Sequence, residues 1–362
     1  MQKQNLTQAS RELFRRSPDE VYATLDDLHR KCTDDKERST DRWHAPADIR
    51  PLPSAGRLDI ELGAGDACRL NDWSFTQLCK LAGVSKDTVN KVSAETAGRV
   101  LTETLPQGTK PLQALTLDGV VRSVHGASYT RLYNSDLLSM VREFATDFQP
   151  PQQAAGGGTG LYLGEQDMFV FLVDPLGWAE IEGEAFCPGF FLWNSEVGRR
   201  SVGVQTFWFQ AVCRNHIVWD AVEVVDFARK HTANVHGCFD DIRRIIAGLV
   251  ERRDARRDGF ARVMRQAFVT KLGDDAEAVA KVLFRHGIPR DFAKEALKLA
   301  EEAGRFTVFS LVDALTRVAG RCRNAGDRTE LDERAGRLLA LADEPSGRRA
   351  LPAPGQSLAA AV

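Results

Sequence analysis

Two corners of one apolar run carry the residues in this chain best suited to binding chemistry. The run "FFLWNSEVGRRSVGVQTFWFQAVCRNHIVW", Phe190 to Trp219, is broken by Asn194-Ser195-Glu196-Val197-Gly198-Arg199-Arg200 and again by Arg214-Asn215-His216. Arg122, Tyr129, Arg131 and Tyr133 precede the run, and Trp193 adjoins the first corner. Guanidinium groups interleaved with aromatic rings are what a single-strand binder needs: cations track phosphates and ring faces stack on bases. Arg199 and Arg200 are therefore expected to contact phosphates, with Asn194, Ser195, Glu196 and Gly198 forming the turn that presents them. Arg122, Tyr129, Arg131 and Arg214 are expected to extend the same face. The competing expectation is that the aromatics are core and the arginines are solvated or structurally paired.

Other constellations offer different chemistry. Cys213, His216, His231, His236 and Cys238 are the residue types of a zinc site, but their spacing matches no standard ligand pair cleanly. Core thiols and histidines at strand ends account for them without a metal, and no cofactor is implied. Gly156-Gly157-Gly158 with Gly160 lacks the Lys-Ser or Lys-Thr of a phosphate loop and reads as a linker. No G-x-S-x-G elbow places Ser195 for nucleophilic attack. No reaction is assigned. "FTQLCKLAGVSKDTVNKV" has the pattern of a helix-turn-helix and resembles the DNA-reading motif of repressors related to the lactose repressor. A recognition helix over Ser85 to Lys91 would need Lys86, Asp87, Thr88 and Asn90 exposed. Otherwise these helices buttress a sheet.

Composition sets the frame for these motifs. The chain has 362 residues, 43% hydrophobic and 27% charged, with a net charge of -2, so no global basicity announces nucleic acid. Locally, ten Lys or Arg face five Asp or Glu between Arg229 and Arg265. The seven cysteines are odd in number and scattered, which predicts free thiols and a cytoplasmic protein. No apolar stretch is long enough to span a membrane.

The elements follow from periodicity. Residues 1 to 55 read as an extension with one or two helices, on Leu13, Phe14, Val21, Leu25 and Leu28, and an exposed connector over 33 to 54. Short helices come next, with Gly83 closing the first and Ser85 capping the second. "LQALTLDGVVRSVHG" predicts a hairpin turned at Asp118-Gly119. "NSDLLSMVREF" opens a helix on an Asn or Ser cap, and several strands follow. "FWFQAVCRN" fits a helical turn at least as well as a strand. From Phe239 to Asp343 the pattern is all helical, and 344 to 362 is expected to be disordered. The fold class is α+β: a curved, mostly antiparallel sheet packed by helices in a core domain over 56 to 238, followed by a C-terminal helical region over 239 to 343.

"GVVRSVHGASYTRLYNSDLLSMV", "DMFVFLVD", "PGFFLWNSEVGRRSVGVQTFWFQAVCRNHIVW" and "FSLVDALTRVAGRCRNAGDRTELDERAGRLLAL" occur in this order. The chain thereby resembles, over residues 60 to 342, the phage- and plasmid-borne family catalogued as domain of unknown function 932. One departure is His216, where that family usually has glycine, suited to a turn with positive φ. The resemblance implies carriage on a mobile element. By analogy with strand-annealing proteins of phages, it implies non-catalytic binding of single-stranded DNA in recombination or establishment, compatible with a homo-oligomer. The alternatives are a helix-turn-helix regulator and a protein that blocks a host defence protein.

Overall fold

The computed structural model describes residues 12 to 343 apart from 55, 64, 155–157, 212, 220–226, 303 and 305. The fold is α+β, a strongly curled antiparallel sheet packed by helices, with helices forming the C-terminal region. The first described element is a short strand β1 (Glu20–Val21), then come α1 (Leu25–Arg38), β2 (Ser39–His44), β3 (Ile49–Ser54), β4 (Arg57–Leu62) and β5 (Asp66–Leu70). Helices α2 (Asp72–Leu81), α3 (Lys86–Val89) and α4 (Ala94–Thr104) precede the hairpin β6 (Leu112–Leu117) and β7 (Val120–His125). Strands β2 to β7 form a six-stranded sheet in the order β2-β6-β7-β5-β4-β3, antiparallel except where β5 meets β7. Its leucines, isoleucines and alanines at alternate positions face α2 and α4, as in Leu58, Ile60 and Leu62 of β4. Asp118 at φ 50° and Gly119 at φ 70° turn the hairpin as the sequence predicts.

The stretch 33 to 54 differs from expectation. It is the end of α1 and both edge strands of this sheet, where Pro51 and Pro53 in β3 are tolerated because an edge strand needs no full ladder. Residues 12 to 21, expected within a helix, instead form an extended strap. Asn90 grips Phe14 by both backbone groups, at 2.7 and 2.8 Å. Asp19 accepts a bond from the Ala325 N–H at 2.7 Å, capping a helix 306 residues away.

The second sheet carries the apolar run. After α5 (Asn134–Phe144) and a single turn α6 (Pro151–Ala154) come β8 (Leu161–Leu163), β9 (Met168–Val173), β10 (Ala179–Ile181), β11 (Glu184–Asn194), β12 (Val202–Gln210), β13 (Asn215–Ile217) and β14 (Phe227–Arg229). With β1 they make an eight-stranded sheet centred on β9, β11 and β12. Every residue of β9 is buried, because both faces of the sheet are covered. Val170, Leu172, Phe190, Leu192 and Val204 pack under α1, α5 and the following α7 (Cys238–Glu251). Phe169, Phe171, Phe191, Phe207 and Phe209 form an aromatic layer on the other face. "FWFQ" is thus strand rather than helix: Phe207 and Phe209 alternate with Trp208, and cross-strand pairing to β11 overrides the local pattern.

The remaining elements are helical as expected: α8 (Arg253–Val269), α9 (Ala276–Arg285), α10 (Arg290–Glu302), α11 (Val308–Ala319), α12 (Ala325–Gly336) and α13 (Ala340–Asp343). They share a core with the sheet, since Phe186, Trp208 and Ile217 cluster with Phe260 and Leu311. Trp208 stacks on Phe260 at 3.9 Å. The helices beyond the expected boundary at 238 thus pack on the eight-stranded sheet through this shared cluster. No helix among the described residues is long and apolar enough to cross a membrane. Residues 344 to 362, expected to be disordered, lie outside the described residues, as do residues 1 to 11.

Candidate functional site

The Asn194–Arg200 corner joins the two sheets, and nearly every polar side chain in it is spent on that joint. Asn194 is fully buried and donates to the Leu132 carbonyl at 2.9 Å and to Asn134 Oδ1 at 2.8 Å. Ser195, also fully buried, donates to the Gln166 carbonyl at 2.5 Å and accepts from the Arg199 N–H at 2.8 Å. Glu196 accepts from Arg122 Nη1 at 2.9 Å and from the Asn134 N–H at 2.7 Å. Asn134 is the first residue of α5, whose N-cap position is Tyr133 with no side-chain cap of its own. Glu196 therefore does the capping expected of Asn134 or Ser135, placing a carboxylate at the positive end of that helix.

The six-stranded sheet reaches into this corner through a bulge. Leu115 pairs with Ser123 and Thr116 with Val121, which leaves Arg122 as the extra residue. A bulge of this kind re-aims a side chain, and here it directs Arg122 onto Glu196. Arg131 is buried, bonded to Asp41 at 2.9 Å and to the Glu196 carbonyl. Tyr129 donates to the same carbonyl at 2.7 Å and stacks flat on His125 at 3.6 Å, with His231 on its other side at 5.5 Å. Burial holds His125 down to about 3, helped by the charge of Arg131, and His231 down to about 4. Both rings are neutral at physiological pH, and burial pushes the Tyr129 phenol up. Gly198 has φ 72°, and a β-carbon there would lie 2.5 Å from His125 Cε1 and 2.9 Å from Tyr129 Cε2. Only glycine meets both conditions.

Arg200 corrects the expectation most sharply. It is 5% exposed, bonded to Glu330 of α12 at 2.9 Å and to the buried Asp167 at 3.4 Å. Asp167 also faces Arg16 of the strap at 3.5 Å; burial raises its carboxyl, and the charges of Arg200 and Arg16 pull it back. Arg200, Arg131 and Arg122 are thus internal ties and do not present themselves to a phosphate. Their partners lie up to 130 residues away, so no local pattern announced them.

Arg199 behaves differently. It is half-buried, has no ion pair among the described residues, and its guanidinium sits 5.8 Å from the Trp73 ring centroid. Trp73, in the first turn of α2, is fixed by a bond from its indole nitrogen to the Val197 carbonyl at 2.7 Å. Trp73 and His125 were not singled out in the sequence; their participation depends on the contact between the two sheets.

The second corner lies at the far end of β12. That strand has nine residues, so Arg214 is separated from the Arg199 end by roughly 26 Å at ~3.3 Å per residue. Arg214 is exposed and takes the positive φ, 56°, that the resemblance assigns to position 216. His216 is instead in β13, fully buried and 4.3 Å from the Phe171 ring, with burial holding its pKa low. The expected convergence of Arg199, Arg200 and Arg214 does not occur.

The metal set is likewise dispersed. Cys213 accepts from Arg317 at 2.7 Å, His216 lies in the aromatic layer, and His231 stacks at the opposite end of β12 on Tyr129. His236 is in a single 3-10 turn before α7, and Cys238 is buried against the other face of the sheet. Of the glycine run, Gly156 and Gly157 lie outside the described residues. The helix-turn-helix reading loses its reading surface: α3 has four residues, Lys86 is bonded to Asp72 at 2.7 Å, and Asn90 is the buried clamp on Phe14. Asp87 and Thr88 alone remain exposed of the four required residues.

Compared with known proteins, the chain matches no family model, and no curated protein or solved structure is significantly similar to it.

Proposed function

We propose that the protein binds nucleic acid, single strands in preference, in the service of a mobile element. The contact is narrower than the sequence suggests. The observation that carries this reading is the pairing of β14 with β12, in which Val202 lies opposite Arg229. This register brings exposed Lys230 to the same end of β12 as Arg199 and Trp73, while Arg214 is carried to the other end. Lys230, like Arg199, has no ion pair among the described residues. Two cations without an ion pair among the described residues, at the end of β12 that also holds a fixed, partly exposed indole, would supply the phosphate contacts and the stacking face of a single-strand site.

Anisotropy titrations of labelled single- and double-stranded oligonucleotides over a salt series test the proposal. Replacing Arg199 and Lys230 together by Ala is expected to flatten the log-log salt slope for a single strand by ~1.4, at ~0.7 per phosphate contact. Arg214→Ala is expected to leave it unchanged. Absence of binding to either form at low salt would overturn the reading.

A further inference from the structure

The arginines that drew attention in the sequence are mostly tied down, whereas one that did not, Arg42, lies beside a cleft with no ion pair among the described residues. In β2 the alternation of side chains places Thr40, Arg42 and His44 on one face, and in β6 it places Ala114 and Thr116 beside them. The six-stranded sheet curls so far that Leu62 of β4 and Cys68 of β5 line the same cleft, although β4 is four strands from β2 in the sheet order. Helices α2 and α4 cover the sheet over β7, β5, β4 and β3, and the cleft lies at the end they leave open. Its volume is about 190 Å³, below the ~300–1,000 Å³ of pockets for drug-sized molecules.

The lining is divided by chemistry. Leu62, Cys68 and Ala114 are buried and form an apolar floor. Arg42 is exposed and His44 half-buried at the mouth, and neither has a hydrogen-bond or ion-pair partner among the described residues. Thr116 donates its hydroxyl to the Thr40 carbonyl at 3.3 Å, and Thr40, whose hydroxyl has no hydrogen bond among the described residues, also lines the cleft. A guanidinium fork matches a carboxylate in a two-bond geometry, and the apolar floor suits a short hydrocarbon body.

We propose that this cleft is a binding site for a small aliphatic carboxylate, held by Arg42 with His44 and Thr40, its carbon chain on Leu62, Ala114 and Cys68. The proposal stands apart from the nucleic-acid reading, since Arg199, Lys230 and Trp73 do not line this cleft.

Isothermal titration of the full chain with acetate, propionate, butyrate and inorganic phosphate provides the test. One saturable site is expected, with affinity rising from acetate to butyrate and exceeding that for phosphate. Arg42→Ala is expected to weaken butyrate binding at least about tenfold, the loss of one charge-assisted contact. Arg42→Gln keeps the side-chain stem and is expected to weaken it as much, which separates recognition from folding. Arg50→Ala, on the opposite edge strand, is expected to bind as the parent does. The absence of saturable heat with all four ligands, a preference for phosphate, or parent-like binding by Arg42→Gln would each overturn the assignment.

Discussion

The two ends of β12 are built from similar residues and use them in opposite ways. At the first, Asn194, Ser195, Glu196 and Arg200 are buried, and each is bonded to a segment remote in sequence. At the second, Arg214 is exposed at the tip of a turn. Asn215 and His216 just after it are buried in β13, Asn215 bonded to Asp313 at 3.0 Å. What separates the two ends is which remote segments of the same chain arrive there. The strap, the bulged β7, the start of α5 and α12 all meet the first corner, whereas the tip of the second faces solvent. A buried guanidinium persists only with carboxylates beside it, so the first corner demands partners that the second does not.

This contrast can be broken, beginning where the most is buried. Arg200→Ala removes a buried cation from Asp167 and is expected to cost about 3–5 kcal/mol in denaturant unfolding, with the secondary structure of the folded fraction unchanged. Gly198→Ala imposes a side chain at positive φ and a clash with His125 and Tyr129, and is expected to cost about 2–4 kcal/mol. A loss below about 0.5 kcal/mol for either would mean that the corner is not the joint described.

Acid tests the same corner. His125 and His231 have folded values near 3 and 4, below the ~6.5 of an unfolded histidine. The unfolded chain therefore binds the extra protons first. Their contribution to stability is complete above pH ~6.5 and is lost as pH falls toward the folded values, at up to ~1.4 kcal/mol per pH unit for each ring. His231→Phe is expected to reduce this slope, measured by denaturant midpoints across the acid range. At the other end of β12 the effect is smallest and of opposite sign: Arg214→Gly relieves a positive φ and is expected to stabilise by about 0.5–1 kcal/mol.

The α+β class, the Asp118-Gly119 hairpin, the Gly83 and Ser85 punctuation and the helical C-terminal region were legible because each rests on local periodicity or turn chemistry. The edge strands β2 and β3 were not: their polar and proline-rich composition is what an exposed connector also has, and an edge strand is exposed along one side. Phe207, Ala211 and Arg214 satisfy a helical spacing while Phe207 and Phe209 alternate with Trp208, and the eight-residue ladder with β11 decided for the strand. The corner was expected to be a turn that presents both arginines to phosphates, and the burial of Arg200 there could not be read from the sequence. Arg199 and Arg200 are adjacent and chemically identical, yet one lies on Trp73 and the other is locked between Asp167 and Glu330.

By itself the sequence determined what short-range physics can specify: alternation and helical spacing place apolar faces, while Gly, Asn-Ser and Asp-Gly mark the turns. Tertiary structure alone decided which charges are spent and which are free. Ion pairing and burial depend on groups brought together from as far apart as Asp19 and Ala325, and the cost of burying a charge is settled by those groups rather than by its neighbours in the chain.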